Sequence, residues 1–197
     1  MSDPAQPPST RKAMSVEEYL RTEESSPFKR EYVGGFVYPL HGATQAQAGT
    51  SKNHMRISLN IVKAVDDAAI RAGCRTHMAD MRLNIASRPS FYYPDVMVAC
   101  GPDNGEAYFE TEPCLLVEVL SKGTASIDRH AKFQAYTALP SLQTYLIVAQ
   151  TERRVYAYQR GVRQWELSEL VGGGNIPLPC LGVTLSLDEI YFGVLDA

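Results

Sequence analysis

Two carboxylates stand where strands do not ordinarily carry them. Cys114 to Leu120 reads C-L-L-V-E-V-L. Apart from Glu118 it is apolar on both parities, which predicts a strand covered on both faces. A buried, unpaired carboxylate costs several kcal/mol, so Glu118 needs a cation, a hydrogen bond, a proton or a metal. A second phrase, Tyr93-Pro94-Asp95-Val96-Met97-Val98, repeats the theme. Pro94 can only open a strand or lie on an edge, so Asp95 enters that strand against the depletion of Asp in strands. Asp95 alone would read as a turn residue; beside Glu118 on a neighbouring strand, the two acids can converge at one end of a sheet. Asp80, in His77-Met78-Ala79-Asp80-Met81-Arg82, is a third acid entering a strand. Carboxylate oxygens with open positions suit Mg²⁺ or Mn²⁺, ions that keep waters and take one or two protein carboxylates together with a substrate phosphate.

Positive charge follows on a helix. Asp128, Lys132 and Tyr136 are spaced i, i+4, i+8 and share one face. The pattern predicts a helix over 126–139, with Ser126 as N-cap and Pro140 as terminator. Its buried stripe is expected at Ile127, Ala131, Ala135 and Ala138, which places Lys132 at the edge of the stripe, its head over the sheet.

The elements that must position these groups read as an α/β arrangement with a mixed β-sheet flanked by helices. A short amphipathic helix is expected over 14–24, capped by Ser15, then a hairpin over 31–40 around Gly34-Gly35. Residues 41–53 read as a loop. Ile57, Ile61, Val65 and Ala68 repeat at helical spacing and predict a long helix over 53–72, stopped by Gly73. Strands are expected over 74–78, 80–85, 92–100, 114–120, 143–149, 153–160 and 165–170. Strand-like and short helical pieces close the chain around 183–192. The chain of 197 residues is of a size for a single domain over 14–197, preceded by a proline-containing leader over 1–13 that reads as disordered.

Read as longer phrases, the residues carry a resemblance. Glu31-Tyr32-Val33-x-Gly35, His54-x-x-Ile57, Tyr93-Pro94-Asp95-Val96, Leu116-Val117-Glu118-Val119-Leu120-Ser121, Asp128-Arg129-x-x-Lys132-x-x-x-Tyr136 and Leu139-Pro140-Ser141-Leu142 follow in order. Together they resemble the Uma-two family of restriction endonucleases, in the PD-(D/E)xK nuclease superfamily, over about residues 14–170. The resemblance implies a restriction-endonuclease-like core, a divalent metal (Mg²⁺ or Mn²⁺) and hydrolysis of phosphodiester bonds in DNA. By position, Asp95 and Glu118 would be metal ligands, with Asp80 a further ligand. The superfamily lysine normally stands two residues after the glutamate, where this chain has Leu120. Lys132 on the following helix would supply it, with Lys122 as a rival. Glu31, His54, Asp128 and Tyr136 are candidates to shape the site. The same fold without cleavage, serving as a nucleic-acid-binding or protein-interaction module, is the alternative, and a purely structural domain with ordinary turn and cap acids is the third reading.

Composition bounds the partners. The formal net charge is -3, which taken alone excludes a protein that coats nucleic acid. The charge is unevenly placed, however. Residues 122–163 hold seven basic and two acidic residues, and residues 164–197 hold no basic and five acidic ones. A basic block directly after Glu118 is the expected phosphate-facing segment. The four cysteines, at 74, 100, 114 and 180, form no C-x-x-C pair; three lie in or beside apolar runs and are expected to act as small hydrophobes in a reducing, cytoplasmic protein. No apolar run approaches the roughly 20 residues of a membrane span. A homodimer is expected if the target is duplex DNA, since cutting two strands invites two sites related by a two-fold axis.

Overall fold

The computed structural model describes residues 13–40, 50–120 and 127–195, the side chains of 127–130 excepted. The leader over 1–12, residues 41–49 of the expected loop, Lys122 and the expected cap Ser126 lie outside the described residues, as does the side chain of Asp128.

The chain opens with α1 (Val16–Glu23), whose N-cap Ser15 accepts from the Glu18 N–H. The hairpin of β1 (Arg30–Val33) and β2 (Phe36–Pro39) turns on Gly34 and Gly35, with φ of 55° and 92°. Two consecutive positive φ values are what a two-residue hairpin turn of this hand requires, and glycine meets them without strain. The long helix α2 (Lys52–Arg71) follows, then β3 (Arg75–Met78), β4 (Arg82–Ile85), β5 (Ser90–Tyr92), β6 (Val96–Ala99), β7 (Phe109–Glu110) and β8 (Pro113–Leu120). Helix α3 (Ile127–Thr137) leads into β9 (Thr144–Ala149), β10 (Arg154–Arg160) and β11 (Trp165–Val171). The strands β12 (Asn175–Leu178) and β13 (Val183–Ser186) and the short α4 (Leu187–Tyr191) complete the order.

A six-stranded sheet, ordered β11-β10-β9-β8-β6-β3, is the centre of the molecule. Only β8 and β9 run parallel in it, joined through α3. On one face, Val96, Val98, Leu115, Val117, Leu146 and Val148 pack against Ile57, Ile61 and Val65 of α2 and Ile190 of α4. On the other, Met97, Leu116, Tyr145 and Ile147 pack against Ala135, Tyr136 and Leu139. Both faces are therefore covered, which is why β8 carries apolar residues on both parities. The five-stranded sheet β2-β1-β5-β4-β7 sends Leu83, Ile85 and Tyr92 into the second of these cores. The arrangement is a mixed α/β fold with helices on the sheet faces, as expected.

Three details differ from the expectation. The strand expected over 92–100 is split, because Tyr92 pairs with Leu83 in the five-stranded sheet while Val96 pairs with Met78 and Val117 in the central one. Pro94, which has no N–H to give a ladder, sits at the crossing from one sheet to the other. The buried face of α3 is also turned: Lys132, Ala135 and Tyr136 are buried, while Ala131 and Ala138 are exposed. The side chain expected at the rim thus lies inside. Finally, the cysteines do not act as separate small hydrophobes, for Cys74 is bonded to Cys100 and Cys114 to Cys180.

Candidate active site

Glu118 lies on the same face of β8 as Leu116, the face that α3 covers. Two α3 side chains meet it there. Lys132 Nζ lies 3.3 Å from each of its carboxylate oxygens, and the Tyr136 hydroxyl donates to Oε1 at 2.8 Å. The i, i+4 spacing of Lys132 and Tyr136 puts both on one face of the helix, one turn apart. Lys132 Nζ also reaches Oε1 of Glu31, on β1, at 2.9 Å. A lysine buried to 5% exposure thus ties two strands from different sheets to one helix. Buried charges persist when they are paired in this way.

Asp95 enters from the neighbouring strand. The antiparallel register of β6 and β8 pairs Val96 with Val117, and one residue further the Asp95 carboxylate takes the Val119 N–H at 2.7 Å. The side chain thereby continues the ladder past the end of β6. His54 Nε2 lies 3.2 Å from the same Asp95 oxygen, Oδ2. His54 stands in the first turn of α2, which is capped by Ser51 accepting from the His54 N–H. The helix start is moored to the sheet by Gln150, whose side chain accepts from the Ser51 hydroxyl and donates to the Leu120 carbonyl.

Charge balance marks the group out. Burial, together with the neighbouring charges of Asp95 and Glu31, pushes the Glu118 carboxyl up to about 8, although Lys132 and the Tyr136 hydroxyl act against the rise. Tyr136 is pushed well above the ordinary phenol range by burial and by the Glu118 and Glu31 carboxylates. Three carboxyl groups, those of Glu31, Asp95 and Glu118, thus lie together with the Lys132 ammonium. The site is formed of hard oxygen donors, the set that Mg²⁺ or Mn²⁺ prefers. Asp95 and Glu118 each contribute carboxylate oxygens to it.

Glu31, His54, Asp95, Glu118, Lys132 and Tyr136 are thus brought together. Asp80 is not joined to them: it stands 75% exposed in the turn after β3, with φ of 74°, paired with Lys29. Lys29 was not singled out in the sequence. Burial lowers its pKa while the Asp95 charge raises it, so its ammonium lies within electrostatic reach of the site. Its place directly before Arg30-Glu31 on the hairpin was the available signal. Gln150 was missed too, because a lone glutamine after an apolar strand carries no pattern.

Among the described residues of the basic block, three arginines are engaged within the protein. Arg153 pairs with Asp188, and Arg154 with Glu152 and Glu169. Arg160 donates to the Leu139 and Leu142 carbonyls and lies 4.7 Å over the Trp165 ring. The acidic segment 164–197 supplies two of these three partners' carboxylates, so the charges that segregate along the chain meet again in the fold.

Comparison with known proteins gives the family and agrees with the fold. The profile of Uma2, described as "Putative restriction endonuclease", matches residues 16–188. The chain belongs to the Uma2 family. Two uncharacterized proteins of Synechocystis sp. are similar to it along most of their length. The protein slr1290 is 33% identical over 183 residues, covering 92% of this chain and 93% of that one. The protein sll1609 is 38% identical over 171 residues, covering 83% and 90%. Among solved structures, a "putative nuclease belonging to DUF820" from Anabaena variabilis superposes with a TM-score of 0.67 at 17% identity, covering 92% of this chain and 99% of that one. At that identity the likeness concerns the fold, which it shares as a mixed α/β domain. The Uma2 match begins in α1 and ends in α4, so it includes every strand that carries a site residue. Among the described residues, no helix is long and apolar enough to cross a membrane.

Proposed function

We propose that this Uma2 chain is a divalent-metal-dependent endonuclease that hydrolyses phosphodiester bonds in DNA. The observation that carries the reading is the buried meeting of Glu118 on β8, Asp95 at the entry to β6, Glu31 on β1 and the Lys132 ammonium, which touches both Glu118 and Glu31. A group of carboxylates gathered in this way is completed by a cation with oxygen preference. Asp95 and Glu118 would hold that cation. When bound, Mg²⁺ lowers the pKa of a coordinated water and offsets negative charge that develops on the phosphate.

The chain's own residues divide the remaining work. Tyr136 fixes the Glu118 carboxylate by its hydroxyl, and Glu31 holds the Lys132 ammonium against it. Lys132 then stands ready to donate to a phosphate oxygen or to the attacking water. His54 orients Asp95 through Oδ2, on the carboxylate already held by the Val119 N–H. Burial of the group keeps the local dielectric low, which strengthens each of these interactions. A duplex target would be met by a homodimer with two such sites, and the cytoplasm would be the place of action.

The test is cleavage of supercoiled and linear DNA in Mg²⁺ or Mn²⁺ by the full chain, by Glu118→Ala and by Lys132→Ala, with calorimetric titration of the metal. Metal-dependent cleavage lost in both variants supports the reading. Cleavage that persists in Glu118→Ala defeats the site assignment. DNA binding without metal binding or cleavage would replace the enzyme by a silent nuclease fold.

A further inference from the structure

Four sulfurs from four separate parts of the chain converge in one place. Cys74 follows the end of α2, Cys100 follows β6, Cys114 lies in β8, and Cys180 stands in the turn between β12 and β13. Their pairing as Cys74–Cys100 and Cys114–Cys180 does not separate them into two independent bridges. Cys100 Sγ lies 3.2 Å from Cys114 Sγ, and the sulfurs of Cys100, Cys114 and Cys180 all lie within 4.8 Å of one another. A covalent staple needs two sulfurs. A single tetrahedral ion needs four.

We propose that in its thiol form the chain binds one Zn²⁺ through Cys74, Cys100, Cys114 and Cys180. Zinc–sulfur bonds of about 2.3 Å place the sulfurs of a tetrahedral site about 3.8 Å apart; Cys100 and Cys114, not bonded to each other, stand near that spacing, and Cys74, bonded to Cys100, would move to it once the disulfides are absent. Sulfurs packed so closely fit one ion and not the larger cage of an iron–sulfur cluster. An all-thiolate set selects a soft or borderline metal over the Mg²⁺ suited to the carboxylate group. Cys74 and Cys114 are buried, at 7% and 3% exposure, and Cys100 and Cys180 are partly buried against the same apolar core. Four protein ligands leave no open position, so the site is structural. The chain is synthesised with thiols, so no redox step is involved: four thiols and one Zn²⁺ give one tetrathiolate complex and four released protons. The ion would join the end of α2, the central sheet and the β12–β13 pair, which among the described residues shares a strand ladder with neither larger sheet.

The experiment measures metal and thiols in the full chain, produced with zinc in the medium and purified under argon. The expected result is one zinc per chain by elemental analysis, with four maleimide-reactive thiols that appear only after chelation in denaturant. Co²⁺ in place of zinc should give the visible bands of tetrahedral cobalt thiolate. Cys114→Ser and Cys180→Ser should lose the zinc, and Glu118→Gln should keep it, which separates this site from the carboxylate group. If the cysteine variants fail to fold, the cobalt spectrum of the unsubstituted chain still decides. Metal-free protein overturns the proposal, whether it carries two disulfides or four free thiols, and so does zinc retained by Cys114→Ser or iron in its place.

Discussion

Lys132 Nζ stands 3.3 Å from both carboxylate oxygens of Glu118, although the two residues are 14 apart in sequence and on different elements. Two residues after the glutamate stands Leu120, whose carbonyl is bound by the Gln150 side chain. The helix after the strand thus delivers an ammonium to the glutamate of the strand. Removing it should expose the dependence. Lys132→Ala leaves Glu31 and Glu118 buried without their cation, and breaking a buried pair in this way costs about 3 kcal/mol or more. Urea denaturation is expected to show that loss together with the loss of cleavage. Lys132→Arg should recover stability better than activity, because a planar fork does not replace a compact ammonium held between two carboxylates. Full activity in Lys132→Ala would remove Lys132 from the chemistry.

Glu118 gives a pH dependence with a definite sign. Its carboxyl rises from an ordinary 4.5 to about 8, chiefly through burial and against the pull of Lys132. Between those two values the native state keeps a proton that the unfolded chain has released, so stability falls as pH rises. The contribution is complete below about 4.5 and gone above about 8. Glu118→Gln cannot ionise, so in metal-free protein it should be more stable than the parent at pH 8 and close to it at pH 4, while cleaving nothing. Urea midpoints for both proteins across that range would show it. A gap that does not change with pH counts against the raised carboxyl.

Asp95 has a backbone duty as well as a chemical one, and two substitutions should separate them. Asp95→Asn retains an oxygen for the Val119 N–H and is expected to fold normally without metal-dependent cleavage. Asp95→Ala leaves that strand N–H without its acceptor, at a cost of about 1–3 kcal/mol. Circular dichroism melts beside cleavage assays distinguish the two. Equal melting temperatures for both variants would mean that the hydrogen bond contributes nothing.

DNA affinity should weaken with salt, but less than seven basic residues between 122 and 163 would suggest. Arg153, Arg154 and Arg160 are already bound within the protein. Arg154→Ala is therefore expected to leave the salt slope of binding unchanged, while Arg163→Ala, in the exposed turn between β10 and β11, should lower it by about 1 if that arginine meets a phosphate. Fluorescence anisotropy from low to high salt reads both. A slope changed by Arg154→Ala and not by Arg163→Ala would reverse the assignment.

Where the chain carried periodic or doubly apolar runs, the fold was legible. The α2 repeat of Ile57, Ile61 and Val65 and the apolar run of β8 both form as their patterns require. The acids Glu118 and Asp95 betrayed themselves by interrupting such runs. Less legible was whatever depends on long-range pairing. Nothing local said that Tyr92 and Val96 would enter different sheets, or that α3 would turn Lys132 inward past Ala131. The cysteines gave no sign of meeting, since their spacings are set by the separate elements that carry them. Charge was misleading for the same reason: Arg153 and Asp188 are far apart in the chain and paired in the fold.

The lysine that reaches back from α3 has a consequence for when chemistry can begin. Glu118 and Lys132 share no local segment, and Glu31 and His54 arrive from strands and helices earlier still. A nascent or unfolded chain therefore has no fragment of a working centre, and a helix that has not docked leaves the strand's carboxylate without its cation. For a protein read as able to cut DNA, the site is assembled only by the long-range packing that brings these elements together.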